Sequence, residues 1–289
     1  MGAVLKPLQR GLAFLGSCLL ATGVAALECS QPAPDPSRIA VAGGSLAEIL
    51  YALGEEARIV AVDRTATYPV AARELPQIGY VRNLSAEGLL SLQPTLVLGE
   101  HDMGPPAVVD QLSALGLDLL VVPERFDAEG VAAKIRCVAA AVGRAAAGEA
   151  LVAETLAGAV TAPAAPDAPR GMVLLGLRGG SPVAAGRDTS GSGLLAMAGV
   201  RNALEGFEGW KPVSEEAMAL AAPAFIVVPE RGVADAGGLD ALLAHPALRL
   251  TPAAQAGRVI TMDGMAMLGF GPRTVATAAR LRKQLQAAP

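Results

Sequence analysis

Two groups of residues in this chain have types and spacings suited to holding a ligand. The first is Gly79-Tyr80-Val81-Arg82, which sets a phenol oxygen two residues from a guanidinium, in a loop just ahead of a short helical stretch. Physical chemistry alone reads this pair as a half-buried tyrosine beside a surface arginine; only its place in the fold can give it more meaning. The second is a pair of carboxylates carried by a phrase that occurs twice. Ser85-Ala86-Glu87 leads through a helical stretch to Pro94 and the apolar run Thr95-Leu96-Val97-Leu98, and Ser214-Glu215-Glu216 leads likewise to Pro223 and Ala224-Phe225-Ile226-Val227-Val228. In each copy the proline lies seven positions after the glutamate, and the copies are 129 residues apart, too far for a solenoid repeat. An acid at a helix start is favoured by the helix dipole whatever else it does. Two acids in equivalent places of two similar lobes favour a shared docking surface.

These residues need elements to position them. Arg38–Ala42, Ile59–Val62, Thr95–Gly99 and Leu119–Val122 are short apolar runs that read as buried strands, and helical stretches alternate with them. Gly43-Gly44-Ser45 turns the first strand into a helix beginning near Leu46, with Ser45 as a plausible cap. Two helical patterns fill Ala128 to Val160, separated near Gly143, and the chain then passes through Thr161-Ala162-Pro163-Ala164-Ala165-Pro166. Gly171–Leu177, Phe225–Val228 and Val259–Thr261 are further strands, and the last helix covers roughly Thr274 to Gln286. The pattern predicts an α/β fold of two Rossmann-like lobes with parallel sheets, joined by a single long helix, with a ligand cleft between the lobes. The expected organisation is a signal peptide (1–26), a tether (27–37), an N-terminal lobe (38–143), a connecting helix and linker (144–166) and a C-terminal lobe (167–289). A loop that follows a strand in such a lobe faces the crevice.

The composition narrows the possibilities. The chain of 289 residues is 52% hydrophobic but only 3% aromatic, a small-aliphatic mixture that suits helices packed tightly on parallel strands. The net charge of −4 and the scattered basic residues argue against nucleic-acid binding. Lys6 and Arg10 precede an apolar run from Gly11 to Leu27 that ends in small residues, which reads as a cleaved export signal. Removing it makes the chain two charges more negative. Leu15-Gly16-Ser17-Cys18 also allows a lipid-anchored form. In an oxidising compartment the remaining Cys29 and Cys137 either pair or stay as two free thiols.

Several stretches together carry a resemblance: Val41-Ala42-Gly43-Gly44-Ser45-Leu46-Ala47-Glu48-Ile49, Asp63-x-Thr65-x-Thr67-Tyr68-Pro69, Leu75-Pro76-x-Ile78-Gly79-Tyr80-x-Arg82-x-Leu84-Ser85-x-Glu87-Gly88, and Leu268-Gly269-Phe270-Gly271-Pro272-Arg273. The chain resembles the periplasmic haem-binding proteins of bacterial haem ABC importers over about Arg38 to Leu281. The resemblance implies a monomer that carries ferric haem b as cargo, with no catalytic cofactor, and hands it to an inner-membrane permease served by a separate ATPase subunit. It makes Tyr80 the axial ligand, through an oxygen that suits a hard ferric ion, and Arg82 its tuning partner. It makes Glu87 and Glu216 the permease-docking acids. Arg178 and Ser181, in Arg178-Gly179-Gly180-Ser181, offer a cation and backbone donors for a propionate, or form an ordinary glycine turn. Met265, Met267 and Phe270 either wall the porphyrin or pack in the core. The histidine that some relatives add near Leu177 or Arg178 is absent here. Of the only two histidines, His101 and His245, His101 follows a strand and could reach the cleft but reads better as a solvated loop residue, so the expected iron is five-coordinate through Tyr80 or takes a sixth ligand that the sequence does not name.

Binders of vitamin B12 or a ferric siderophore share the strand pattern and the paired glutamates, and Tyr80-x-Arg82 discriminates against them. Two scattered histidines disfavour a zinc or manganese binder. An exported α/β enzyme is the remaining rival. The chain has no phosphate loop, no Gly-x-Ser-x-Gly elbow and no dinucleotide fingerprint.

Overall fold

The computed structural model describes residues 1–2, 29–159 and 164–287. The expected signal, with Lys6, Arg10 and Cys18, and residues 160–163 of the expected linker lie outside the described residues. The N-terminal lobe contains β1 (Ile39–Ala42), α1 (Gly44–Ala52), β2 (Ile59–Val62), β3 (Gly79–Tyr80), β4 (Asn83–Leu84), α2 (Ala86–Ser91), β5 (Leu96–Glu100), α3 (Pro106–Ala114) and β6 (Asp118–Val122). α4 (Ala128–Ala141) and α5 (Ala145–Leu156) lead towards the C-terminal lobe. That lobe contains β7 (Arg170–Arg178), β8 (Ser181–Ala185), α6 (Ser190–Met197), β9 (Arg201–Asn202), β10 (Trp210–Pro212), α7 (Glu215–Ala221), β11 (Phe225–Pro229), α8 (Glu230–Asp235), α9 (Leu239–Leu243), α10 (Pro246–Arg249), α11 (Pro252–Gln255), β12 (Val259–Met262), α12 (Gly264–Leu268) and α13 (Thr274–Ala287).

The first sheet has the order β2-β1-β5-β6 and is parallel throughout. Its central strands, β1 and β5, are unbroken apolar runs because helices cover both faces, so neither face can carry polar side chains cheaply. The second sheet has the order β10-β8-β7-β11-β12, with β9 beside the start of β7. Here the expectation of a purely parallel sheet is corrected. β7, β11 and β12 are parallel, but β8 runs antiparallel to β7 and β10 antiparallel to β8. The cause is local. Gly179 and Gly180 both take positive φ (+55° and +81°), the backbone that a two-residue hairpin turn requires, and they fold the chain straight back.

One apolar core runs between the lobes. It joins Ile39, Leu46, Ile49 and Leu98 of the first sheet and its helices to Val173, Phe225, Met267 and Phe270 of the second. Two outer cores complete the layers, one under α2 and α3 and one under α7 and α10. The connecting helix is shorter than expected. α4 ends before Gly143 (φ +73°), and α5 stops at Leu156, two residues before Gly158. The link is therefore a pair of helices, and α5 packs on both α4 and α13. The expected cap is also corrected. α1 starts two residues earlier than its apolar pattern suggests, with Gly43 at the N-cap (φ 151°) and Ser45 buried inside the helix.

Cys29 and Cys137 form a disulfide (Sγ–Sγ 1.99 Å, Cα–Cα 4.3 Å) that ties the segment ahead of β1 to α4. The same segment is pinned where the Ala33 N–H donates to the Ala141 carbonyl at 2.9 Å. The bridge closes a loop with a sequence separation of 108, for which loop-closure entropy predicts a stabilisation of about 2–5 kcal/mol. Urea unfolding of the oxidised protein should exceed that of the Cys29→Ala, Cys137→Ala variant by this amount. The reductant should weaken only the wild type.

Candidate ligand site at the lobe junction

The site is built from what leaves the C-terminal ends of the parallel strands, the edge at which α/β sheets bind ligands. β2 ends in Asp63, whose carboxylate is fully buried and organises the loop that follows. It accepts the Thr65 hydroxyl at 2.7 Å, the Thr65 N–H at 3.2 Å and, from the β3–β4 hairpin, the Val81 N–H at 3.0 Å. Thr65 in turn accepts the Gly44 N–H at 2.8 Å, so one buried acid couples the first turn of α1 to the hairpin. Burial pushes the Asp63 carboxyl up, and these hydrogen bonds oppose the shift.

The hairpin presents Tyr80, which is half-buried. Arg82 Nη1 donates to the Tyr80 hydroxyl at 2.5 Å. Arg82 also forks onto Asp102, with Nε donating to Oδ2 at 2.6 Å and Nη2 paired to the same oxygen. Burial works against the Arg82 charge, but Asp102 and Tyr80 together hold its pKa above the ordinary value. A third group, not singled out in the sequence, completes the cluster: the Arg64 guanidinium lies 4.7 Å from the Tyr80 ring centroid.

Below this cluster lies a buried polar floor. Lys134 of α4 is 1% exposed and spends all three ammonium donors: on Glu124 Oε2 at 2.6 Å, on Ser45 Oγ at 3.1 Å and on the Gly269 carbonyl at 3.0 Å. Ser45 passes its own proton to Glu100 Oε1 at 2.7 Å. Glu124 Oε1 is buried with no partner among the described residues. Beside this network, Arg273 forks onto Glu48 (2.9 and 2.5 Å), reaches Asp263 at 3.2 Å and lies 4.0 Å from the Tyr68 ring centroid. Both networks cross from one lobe to the other. Their partners are so far apart in the chain that the sequence reading found neither.

The residues expected at the site fall into three sets. Tyr80 and Arg82 are in contact. Arg178 and Ser181 flank the β7–β8 turn, with Arg178 exposed and Ser181 half-buried. That turn is held by His245, whose Nε2 donates to the Gly180 carbonyl at 2.8 Å while its Nδ1 accepts the Ala247 N–H. His101 is exposed and packs edge-on to Phe126. Met267 and Phe270 are fully buried in the shared core, with Phe270 edge-on to Phe126 at 5.2 Å, so neither offers a wall to a cleft ligand. Met265 alone of the three is partly exposed, and it reaches across to Gly44. Glu87 and Glu216 are both exposed in the first turn of their helices, each two residues after a serine cap, with Ser85 accepting the Gly88 N–H at 3.2 Å and Ser214 the Ala217 N–H at 3.3 Å. A cavity of about 320 Å³ lies at the opposite end of β7, β11 and β12, lined by Phe225, Val259 and Leu285 among others, and holds none of these groups.

Residues 39–266 match the model of the periplasmic binding protein family. The chain belongs to that family. Its solved relatives include BhuT, a periplasmic haem-binding protein in complex with two haems (41% identity, TM-score 0.77, covering 86% of this chain and 97% of that one). They include RhuT from Roseiflexus sp. RS-1, a periplasmic haem-binding protein in apo form (36%, TM-score 0.79, 86% and 97%). The periplasmic haem-binding protein HutB of Vibrio cholerae is a third (31%, TM-score 0.75, 87% and 99%). Among curated proteins, the vitamin B12-binding protein of Yersinia pestis (strain Pestoides F) is 31% identical over 115 residues, which is 40% of this chain. The match spans only 38% of the length of that relative.

The lobe junction carries two buried carboxyls, Glu48 and Glu124. Among the described residues no cluster of His, Cys, Asp and Glu is placed to hold a metal ion, and no helix is long and apolar enough to cross a membrane. Burial pushes Glu124 up to about 7, with Lys134 opposing the shift, and it pushes Glu48 up against Arg273. A carboxyl whose pKa rises on folding binds its proton more tightly in the folded state. The associated stability is complete below the unfolded value of about 4.5 and is lost as pH rises through about 7. The thermal midpoint of the cargo-free protein should therefore fall between about pH 5 and about pH 8, and Glu124→Gln should flatten that slope. Circular dichroism melts across the range will decide this, and an equal slope in the variant would assign the titration elsewhere.

Proposed function

We propose that this periplasmic binding protein captures ferric haem at the lobe junction and delivers it to an ABC permease. The observation that carries the reading is the Tyr80 hydroxyl held at 2.5 Å by Arg82, on the strand-end edge of the N-terminal lobe. Ferric iron is a hard cation and favours an anionic oxygen, and tyrosinate is an established axial ligand of ferric haem. Tyr80 supplies the oxygen. Arg82 sets a positive charge beside that oxygen, and Asp102 fixes the guanidinium so that one edge stays turned to Tyr80. The protein performs no chemistry on its cargo. It orients the porphyrin and holds it until the permease takes it. The kinship with periplasmic haem-binding proteins supports the same reading.

Neither histidine is offered as a ligand. His245 is occupied with the β7–β8 turn and the start of α10. Tyr80 therefore acts as the sole protein ligand, with Arg178 a candidate for the porphyrin carboxylates from the opposite lobe. The organisation into lobes at 38–143 and 167–289, export by a cleaved signal, and a monomeric carrier belong to the same proposal. So does docking through Glu87 and Glu216, which the repeated serine caps set in matching surroundings on the two lobes. The B12-binding relatives favour a second reading, a corrinoid carrier. Titration with cyanocobalamin separates the two.

Haemin added to the mature protein should give the high-spin ferric spectrum of a tyrosinate complex. Tyr80→Ala should remove its charge-transfer band and weaken binding by about a hundredfold. Arg82→Ala, one shell out, should cost about tenfold. An unchanged spectrum in Tyr80→Ala excludes Tyr80 as the ligand. The double variant Glu87→Ala, Glu216→Ala should keep haemin affinity and stability, since both acids are exposed, yet slow haem uptake in proteoliposomes holding the importer. Normal uptake would leave the two acids with the helix dipole alone.

A further inference from the structure

The two guanidiniums on Tyr80 differ in one respect. Arg82 is balanced by Asp102, which takes Nε at 2.6 Å as well as Nη2. Arg64 has no carboxylate partner among the described residues, and its guanidinium rests on the Tyr80 ring. Its main chain is nevertheless fixed. The Arg64 N–H donates to the Gly79 carbonyl at 2.9 Å, and the residues on both sides, Asp63 and Thr65, are bonded to each other. Asp63 also holds Val81, so the backbone that carries Arg64 and the backbone that carries Tyr80 are clasped together at two points. The result is an exposed cation on a rigid stem, set against the face of the Tyr80 phenol.

An exposed guanidinium in this place stays hydrated and open to a ligand. Stacking on a phenol at an exposed position contributes only about 0.5–1 kcal/mol and leaves most of the five N–H donors open. A cargo ligated by the Tyr80 oxygen brings its own periphery close to the Tyr80 ring. A porphyrin of the haem b type carries two carboxylates on that periphery, and a guanidinium fork matches a carboxylate in shape and charge. We infer that Arg64 is the N-terminal lobe's receptor for a carboxylate of the cargo, so that the site recognises an iron porphyrin by its acidic edge as well as by its metal. This rests on the haem reading above.

The assignment separates the edge of the ligand from its iron. Haemin and haemin dimethyl ester carry the same iron and macrocycle, but the ester has no free carboxylate. The wild type should bind haemin roughly tenfold or more tightly than the ester, the range expected of a charge-assisted hydrogen bond. Arg64→Ala should lose most of that margin on haemin, bind the ester as the wild type does, and discriminate only by what Arg178 contributes from the opposite lobe. Its haemin complex should keep the tyrosinate spectrum, and Arg64→Lys should recover part of the margin. Three results would overturn the inference: unchanged discrimination in Arg64→Ala, equal weakening of both porphyrins (which would make Arg64 a support for the Tyr80 ring only), or no discrimination by the wild type. If the wild type binds both porphyrins through Tyr80 but does not discriminate, the haem reading stands and this inference alone fails. If it binds neither, both fall.

Discussion

The structure depends on a single buried ammonium. Lys134 sits on α4, and with only 1% exposure it has given up its hydration entirely. An unpaired charge in that place would cost several kcal/mol, so the position is tolerable only while all three donors are satisfied. Two acceptors, Glu124 and Ser45, come from the N-terminal lobe, and the third is the Gly269 carbonyl at the end of α12 in the other lobe. Moving the lobes apart would strip one donor of its partner. The apolar core that spans the junction pushes the lobes together without direction, while the ammonium selects one relative placement. The Arg273 fork on Glu48 repeats the logic one turn further along α1.

This arrangement sorts charge by depth. The carboxylates, Glu48, Asp63, Glu100 and Glu124, lie in or near the floor, where hydroxyls, backbone N–H groups and two cations absorb them. The exposed groups facing outward at the strand ends are Arg64, Arg82 and Arg178. A net acidic protein thus exposes arginines at the strand ends of both lobes. That edge of the N-terminal lobe is rigid where it matters, because the same buried Asp63 that helps shape the floor fixes the loop carrying Arg64 and the hairpin carrying Tyr80.

The lobes are alike where a partner would touch them and different where a ligand would. The serine cap, the exposed acid and the following proline recur in both, and the caps have nearly equal geometry. Beyond that the resemblance stops. The N-terminal sheet is parallel and sends long loops into the cleft. After β7 the C-terminal lobe instead returns at once through the β7–β8 hairpin, a tight turn held from behind by His245. Leu220, 85% exposed one turn after Glu216, stands where the other copy has Ser91, so even the matching faces are not identical.

The strands, the two-lobe plan and the Tyr80–Arg82 pair could be read from the sequence because each rests on local order. Apolar runs bounded by glycine and proline mark buried strands, a Ser-x-Glu start marks a helix, and two residues two apart on one hairpin stay close in any fold. Local rules also misled where a backbone angle decided. Positive φ at Gly43 starts α1 early and turns Ser45 from a cap into part of the floor, and Gly179 and Gly180 make a hairpin where alternation implied a crossover. Whether Met267 and Phe270 face a cleft or the core depended on what packs over α12, which no spacing reveals. The floor itself was out of reach of the sequence. Lys134 and Gly269 are 135 residues apart, and Glu48 and Arg273 are 225 apart. A lysine at a helical position reads as a solvated charge until the second lobe closes over it. The sequence by itself determined the elements and the chemistry they carry; the tertiary structure decided which of those groups lost their water, because burial is a property of the whole packing and not of any one segment.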